Sequence, residues 1–200
     1  LELYAQQGTL LAGHAELIGT VEPGRAAAIA ELGSPNVDDD IEAAIRKGVE
    51  LTDVVDEAVS RTREHASKRG VSVIVARTTP TRILGDRWQL TDAVTNLIQN
   101  AINYSDEGAR VAISVIDTME DGERFVEVKV SDNGIGIKPE DQERIFERFY
   151  RVDYGRSRST GGTGLGLAIA KQSARAQGGD VLALAVEQGA SFQVRLPAAD

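Results

Sequence analysis

Val94-Thr95-Asn96-Leu97-Ile98-Gln99-Asn100-Ala101-Ile102-Asn103-Tyr104-Ser105 carries two patterns at once. Val94, Leu97, Ile98, Ala101 and Ile102 recur at helical spacing and predict the buried face of a helix over Arg87 to Asn103. At about 100° per residue, Asn96, Asn100 and Asn103 fall together on the opposite side. Asparagine is a mediocre helix former, and Lys or Glu would serve a plain solvent face better. The stripe reads either as a polar surface or as a ligand face. Amide oxygens suit Mg²⁺, which keeps several waters and takes its other contacts from one or two protein oxygens and substrate phosphates.

Working outward from this helix, strands and helices intermix over residues 49–200. Thr52 or Asp53 can cap a helix with Val54, Val55, Ala58 and Val59 on its apolar stripe, ending near Gly70. Val71 to Ala76 follows as a strand. Val111, Ile113 and Val115 alternate on a second strand and Val126, Val128 and Val130 on a third, with Asp121-Gly122 between them as a hairpin signal. A helix from about Gly164 to Gln177 precedes two apolar strands split by Gln188-Gly189. These elements predict an α+β fold: a two-layer α/β sandwich, a mixed sheet with helices on one face. Residues 1–48 differ. They are rich in Ala and Gly, carry turn signals at Pro23-Gly24 and Ser34-Pro35-Asn36, and read as a short helical or linker segment preceding the domain.

Ser131-Asp132-Asn133-Gly134-Ile135-Gly136-Ile137 follows the third strand directly. Asp132 continues the even series of Val126, Val128 and Val130, so its carboxylate is expected on the apolar side, where an unpaired charge is costly. A planar ring with an exocyclic amino group, such as adenine, would supply the donor, and Gly134 and Gly136 permit a close approach. An ordinary strand-to-helix connection is the alternative. Thr160-Gly161-Gly162-Thr163-Gly164-Leu165-Gly166-Leu167 runs into the later helix, whose N-terminal N–H groups suit a polyphosphate. Its spacing differs from a P-loop and from a dinucleotide fingerprint. Between these motifs, Phe146-Glu147-Arg148-Phe149-Tyr150-Arg151 reads as an amphipathic turn anchored by two phenylalanines. The loop from Arg151 to Gly162 reads as a mobile lid or as a plain loop.

Composition narrows the classes. A formal net charge of −9 over 200 residues argues against a general nucleic-acid binder. Even so, Arg144, Arg148, Arg151, Arg156 and Arg158 cluster, either as a local anion site or as a solvated face. Absence of cysteine removes disulfides and thiolate metal sites and fits a reducing cytoplasm. No apolar run reaches the length of a membrane span, and the chain, beginning at Leu1, reads as a soluble, cytoplasmic fragment.

In this order, Asn96 to Ser105, Asp132 to Gly136, Phe146 to Arg151 and Gly162 to Leu167 resemble the N, G1, F and G2 boxes of sensor histidine kinases. The resemblance covers residues 49–200, and Glu140 to Lys171 looks especially like actinobacterial phosphate-sensing kinases. It implies a Bergerat ATP-binding fold with ATP and Mg²⁺ as cofactors. Asp132 would pair with the adenine amino group, Asn100 would coordinate Mg²⁺, and Asn96 would support that site from one turn away. Tyr104 would lie against the nucleotide. Gly134 and Gly136 would shape the adenine pocket, while Gly162, Gly164 and Gly166 would hinge the lid and receive phosphates. Asn103, Ile137, Phe149, Thr163, Leu165 and Leu167 are expected to complete the pocket. Arg148 and Arg151 are the candidates for charge stabilisation at the transferring phosphoryl group.

Two departures stand out. Many family members carry Lys where this chain has Asn103, a loss expected to weaken ATP binding. No H box is present: His14 lacks the expected neighbours, and His65 reads as a helix-surface residue. The phosphoacceptor, a histidine on a dimerisation helix, is therefore expected outside this chain. The other implied partner is the receiver domain of a response regulator. Alternatives are a nucleotide-binding module without turnover and an anti-sigma-type serine kinase.

Overall fold

The computed structural model describes residues 47–152 and 163–199. A compact unit spans Gly48–Asp200. Its described elements run β1 (Lys47–Glu50), α1 (Leu51–Arg69), β2 (Ser72–Thr78), β3 (Arg82–Gly85), α2 (Arg87–Asn103), β4 (Arg110–Glu120) and β5 (Glu123–Asp132). Two single 3₁₀ turns follow, Pro139–Asp141 and Arg144–Phe146, and then α3 (Gly166–Ala176), β6 (Asp180–Leu184) and β7 (Ser191–Pro197).

Five strands form a mixed sheet in the order β2-β4-β5-β7-β6, in which only the β2–β4 pairing is parallel. Register explains the core. Ile113 lies opposite Val130, which lies opposite Phe192, and Val115–Val128–Val194 form the next tier. All six are essentially inaccessible to solvent and share one cluster with Leu51, Val54, Val55 and Ala58 of α1, and Leu97, Ile98, Ala101 and Ile102 of α2. The helices thus bury the apolar face of the sheet and leave its other face polar, as in an antiparallel sheet covered on one side. The expected two-layer α+β sandwich is the architecture found.

Local signals explain most boundaries. Asp86 caps α2, its carboxylate accepting the N–H groups of Trp88 at 2.9 Å and Gln89 at 3.2 Å. Gly70 closes α1 at φ +65°. Asp121 and Gly122 make the β4–β5 turn with φ of +50° and +85°, the two positive values that a type I′ hairpin requires. One expected cap is not used. Helix α1 begins at Leu51, before Thr52 and Asp53, and the side chain of its N-cap Glu50 makes no capping bond, pairing instead with Arg82 at 3.1 Å. The Leu51 N–H is instead satisfied by the carbonyl of Thr81, at 3.0 Å. The short ribbon of β1 with β3 was not visible in the sequence, because four-residue strands leave no alternation to read.

Candidate active site

A cavity of about 300 Å³ opens between α2, the end of β5, the segment after the second 3₁₀ turn and the start of α3. Such a volume is at the small end of ligand pockets. The asparagine stripe forms one wall: Asn96, Asn100 and Asn103 all line it, joined by Gln99. The stripe thus faces a cavity rather than open solvent alone.

Asp132 lies at the floor. The strand parity places it on the core side, 8% exposed. Its Oδ1 accepts the Gly134 N–H at 2.9 Å and the Ala190 N–H at 3.1 Å. Among the described residues no donor meets Oδ2. Burial raises its pKa above the ordinary carboxylate value, and the two backbone bonds offset only part of that. The arrangement is a desolvated acceptor, rigidly aimed, at the edge of an apolar pocket that includes Ile137, Ile145 and Phe192.

The glycines have separate reasons. A Cβ on Gly134 would stand 2.4 Å from the Tyr104 carbonyl oxygen, so the turn can lie against α2 only without a side chain. Gly136 lines the cavity itself, with φ +76°. Gly134 stands behind that wall.

At the other end, Thr163, Gly164, Leu165, Gly166 and Leu167 line the cavity where α3 begins. The first N–H groups of an α-helix lack intrahelical partners, and amide side chains border the same cavity, a donor set suited to phosphate. Gly164 (φ +72°) accepts the Phe149 N–H on its carbonyl at 2.9 Å, which fastens the F-box segment to the glycine loop.

The F-box segment departs from expectation in two ways. Phe146 is an anchor: it meets Phe192 edge-on at 6.3 Å between ring centroids, and the Lys171 ammonium sits 4.4 Å above its ring. Phe149 is not an anchor. It is 68% exposed in a left-handed conformation, φ +67°, so its contribution to the site is backbone rather than ring. The second anchor is Tyr150, whose hydroxyl donates to buried Asp141 at 2.6 Å while the Arg144 guanidinium stacks 4.3 Å from its ring centre. That hydrogen bond is the main cause of the raised Tyr150 pKa.

The arginine cluster separates too. Arg151 lines the cavity. Arg148 points away, donating to Gln172 of α3 at 3.1 Å, and Arg144 is held by Tyr150. Arg156, Arg158, Gly162, His14 and most of the expected lid lie outside the described residues. His65 is not a plain surface residue. It is half-buried, and its Nε2 lies 2.8 Å from the Asn103 Oδ1.

Sequence reasoning missed Ala190 and Tyr150. Nothing near Ala190 marks it, since only the β5–β7 pairing brings its N–H to Asp132. Tyr150 sat inside a recognised motif but beside two more conspicuous phenylalanines.

The described residues contain no group of three or more His, Cys, Asp or Glu able to cage a metal. The donors available are amides, which fit a hydrated Mg²⁺ held mainly by phosphates rather than a cation held by protein alone. No helix among them is long and apolar enough to cross a membrane.

This chain is 44% identical over 150 residues to the sensor-like histidine kinase SenX3 of Mycolicibacterium smegmatis, covering 74% of this chain and 38% of that protein. It is 47% identical over 113 residues to the sensor histidine kinase WalK of Bacillus subtilis, covering 56% of this chain and 18% of WalK. It thus spans well under half the length of these curated relatives. Among solved structures, the mycobacterial sensor histidine kinase MprB superposes with a TM-score of 0.65 at 31% identity, covering 77% of this chain and 98% of that one. The catalytic domain of histidine kinase ThkA matches with a TM-score of 0.65 at 26% identity, covering 76% and 95% respectively. The family model for histidine kinase-, DNA gyrase B- and HSP90-like ATPases matches residues 85–200, from the strand before α2 to the end of the chain. With the asparagine wall, the aimed aspartate and the glycine loop around one cavity, the chain belongs to that ATPase family, on the side of the sensor histidine kinases.

Proposed function

We propose that this domain transfers the γ-phosphoryl group of Mg²⁺-ATP to a histidine on a dimerisation helix. The carrying observation is convergence: four motifs spread from Asn96 to Leu167 border one cavity, with a desolvated carboxylate at one end and a helix N-terminus at the other. In this reading Asp132 accepts the adenine amino group, Tyr104 lies against the base and Ile137 walls it. Asn100, supported by Asn96, would hold Mg²⁺, which supplies neutralisation of phosphate charge. Gly162, Thr163, Gly164, Leu165, Gly166 and Leu167 receive the phosphates. Arg151 stabilises charge on the transferring group. Arg148, turned toward Gln172, is the weaker candidate for that role.

Residues 49–200 are the catalytic domain in this reading and residues 1–48 a linker or part of a dimerisation region. The acceptor helix, the receiver domain that takes the phosphoryl group onward and the cytoplasmic setting are part of the same proposal. Its support is the likeness to sensor kinases in both sequence and fold.

The test supplies the chain with γ-labelled ATP, Mg²⁺ and a separate polypeptide carrying a sensor-kinase dimerisation helix. Acid-labile, base-stable label on that helix is expected. ATP binding with no transfer to any histidine-bearing helix would leave a nucleotide-binding module without kinase activity.

A further inference from the structure

We infer that His65 is a positioning residue for the nucleotide site, one that fixes which end of the Asn103 side-chain amide faces the ligand. The inference rests on the nucleotide reading above. Asn103 lines the cavity, half-buried at the last turn of α2. An amide has two unlike ends, an acceptor oxygen and a donor NH₂. Here the oxygen is engaged: Oδ1 meets His65 Nε2 at 2.8 Å, with the ring nitrogen donating. Both Nδ2 hydrogens are therefore left for other partners, and the cavity side receives a donor. Reversal of the amide would place lone pairs toward the ligand instead, which disfavours an anion.

A second contact fixes the same residue. Arg69, one turn along α1 from His65, donates from Nη2 to the Asn103 carbonyl at 3.2 Å and to that of Ser105 at 3.3 Å. His65 and Arg69 stand four apart on one helix face and grip one residue of α2, His65 by the side chain and Arg69 by the backbone. The position thereby offers a neutral, oriented donor, and the chemistry that matches it is the phosphate chain of a nucleotide rather than the base, whose polar partner is Asp132.

The test measures Mg²⁺-ATP and adenosine affinities by calorimetry for the full chain, His65→Ala, His65→Gln, Asn103→Ala and the His65→Ala/Asn103→Ala double variant. Loss of one oriented hydrogen bond should weaken ATP binding about three- to tenfold in His65→Ala. Adenosine affinity should stay unchanged, glutamine should restore most of the loss, and His65→Ala should have no further effect once Asn103 is alanine. If alanine at 65 unfolds the chain, the comparison runs between His65→Gln, which keeps a donor, and His65→Leu, which keeps bulk alone. Equal ATP affinity in the wild type and the donor-less variant overturns the inference, as does equal loss of ATP and adenosine. A wild-type chain that binds neither ligand overturns the nucleotide reading with it, whereas normal wild-type binding insensitive to His65 overturns this inference alone.

Discussion

The carboxylate of Asp132 accepts the backbone N–H of Ala190, 58 residues further along the chain, at 3.1 Å. The bond ties the end of β5 to the turn before β7 and holds the acid in a fixed rotamer, with its Gly134 bond on the same oxygen. Under the proposed function one side chain serves both the fold and the ligand, through different oxygens.

Two substitutions at Asp132 should separate these roles. Asp132→Ala leaves two N–H groups without their acceptor and is expected to destabilise the domain by about 1–3 kcal/mol. In Asp132→Asn the amide oxygen keeps both bonds, and stability should stay within about 1 kcal/mol of wild type. Urea titrations of both variants check this. Equal destabilisation would mean that the charge, not the acceptor oxygen, supports the fold.

The raised pKa of Asp132 fixes the sign of its pH dependence. In the window between the raised native value and the ordinary 3.8, the native protein holds a proton that the unfolded chain has released. The stability contribution of this group therefore rises as pH falls through that window. Nucleotide binding through a charged Asp132, as proposed, should weaken over the same interval. The stability difference between wild type and Asp132→Asn, followed against pH, is expected to shift in favour of wild type on acidification. A shift in the opposite direction would show that the site stabilises the anion.

The Asn stripe and the aim of Asp132 were legible because each follows a local period, 3.6 residues on α2 and 2 on β5. The glycine loop was legible as a helix start. What depended on distant pairing was not. Ala190 reaches Asp132 only through the β5–β7 register, His65 reaches Asn103 only through packing of α1 on α2, and the β1–β3 ribbon joins two segments too short to show alternation. Phe149 misled because its hydrophobicity suggested burial, whereas its left-handed backbone turns the ring outward.

Gly164 should not tolerate a side chain. Its φ of +72° is compounded by an ideal Cβ position 2.9 Å from the Phe149 Cα. Gly108 has a similar φ, +83°, with nothing within 4 Å, and serves as a control for backbone strain alone. Gly164→Ala is expected to cost roughly 1–3 kcal/mol and to weaken ATP binding, against about 1 kcal/mol and unchanged binding for Gly108→Ala. Paired thermal melts and ATP titrations measure both effects, and indistinguishable variants would remove the packing argument.

The two arginines of the F-box segment should differ in turnover. Arg151 borders the cavity and Arg148 engages Gln172 on α3. Arg151→Ala is expected to lower phosphoryl transfer by about 100-fold, the usual scale for loss of one charge-stabilising group, and Arg148→Ala by far less. Single-turnover transfer rates at saturating ATP decide it. A larger loss at Arg148 would reverse the assignment.

A thermal melt of the wild type and Asp132→Asn, with and without Mg²⁺-ATP, tests the nucleotide site most directly. At about 100 times its Kd, ligand should stabilise the wild type by about 2.7 kcal/mol, a shift of several degrees. The predicted result is a magnesium-dependent rise in the wild-type Tm that is absent in a normally folded Asp132→Asn. No shift in the wild type at millimolar ATP, or an equal shift in both proteins, would contradict the placement of ATP in this cavity with its base on Asp132.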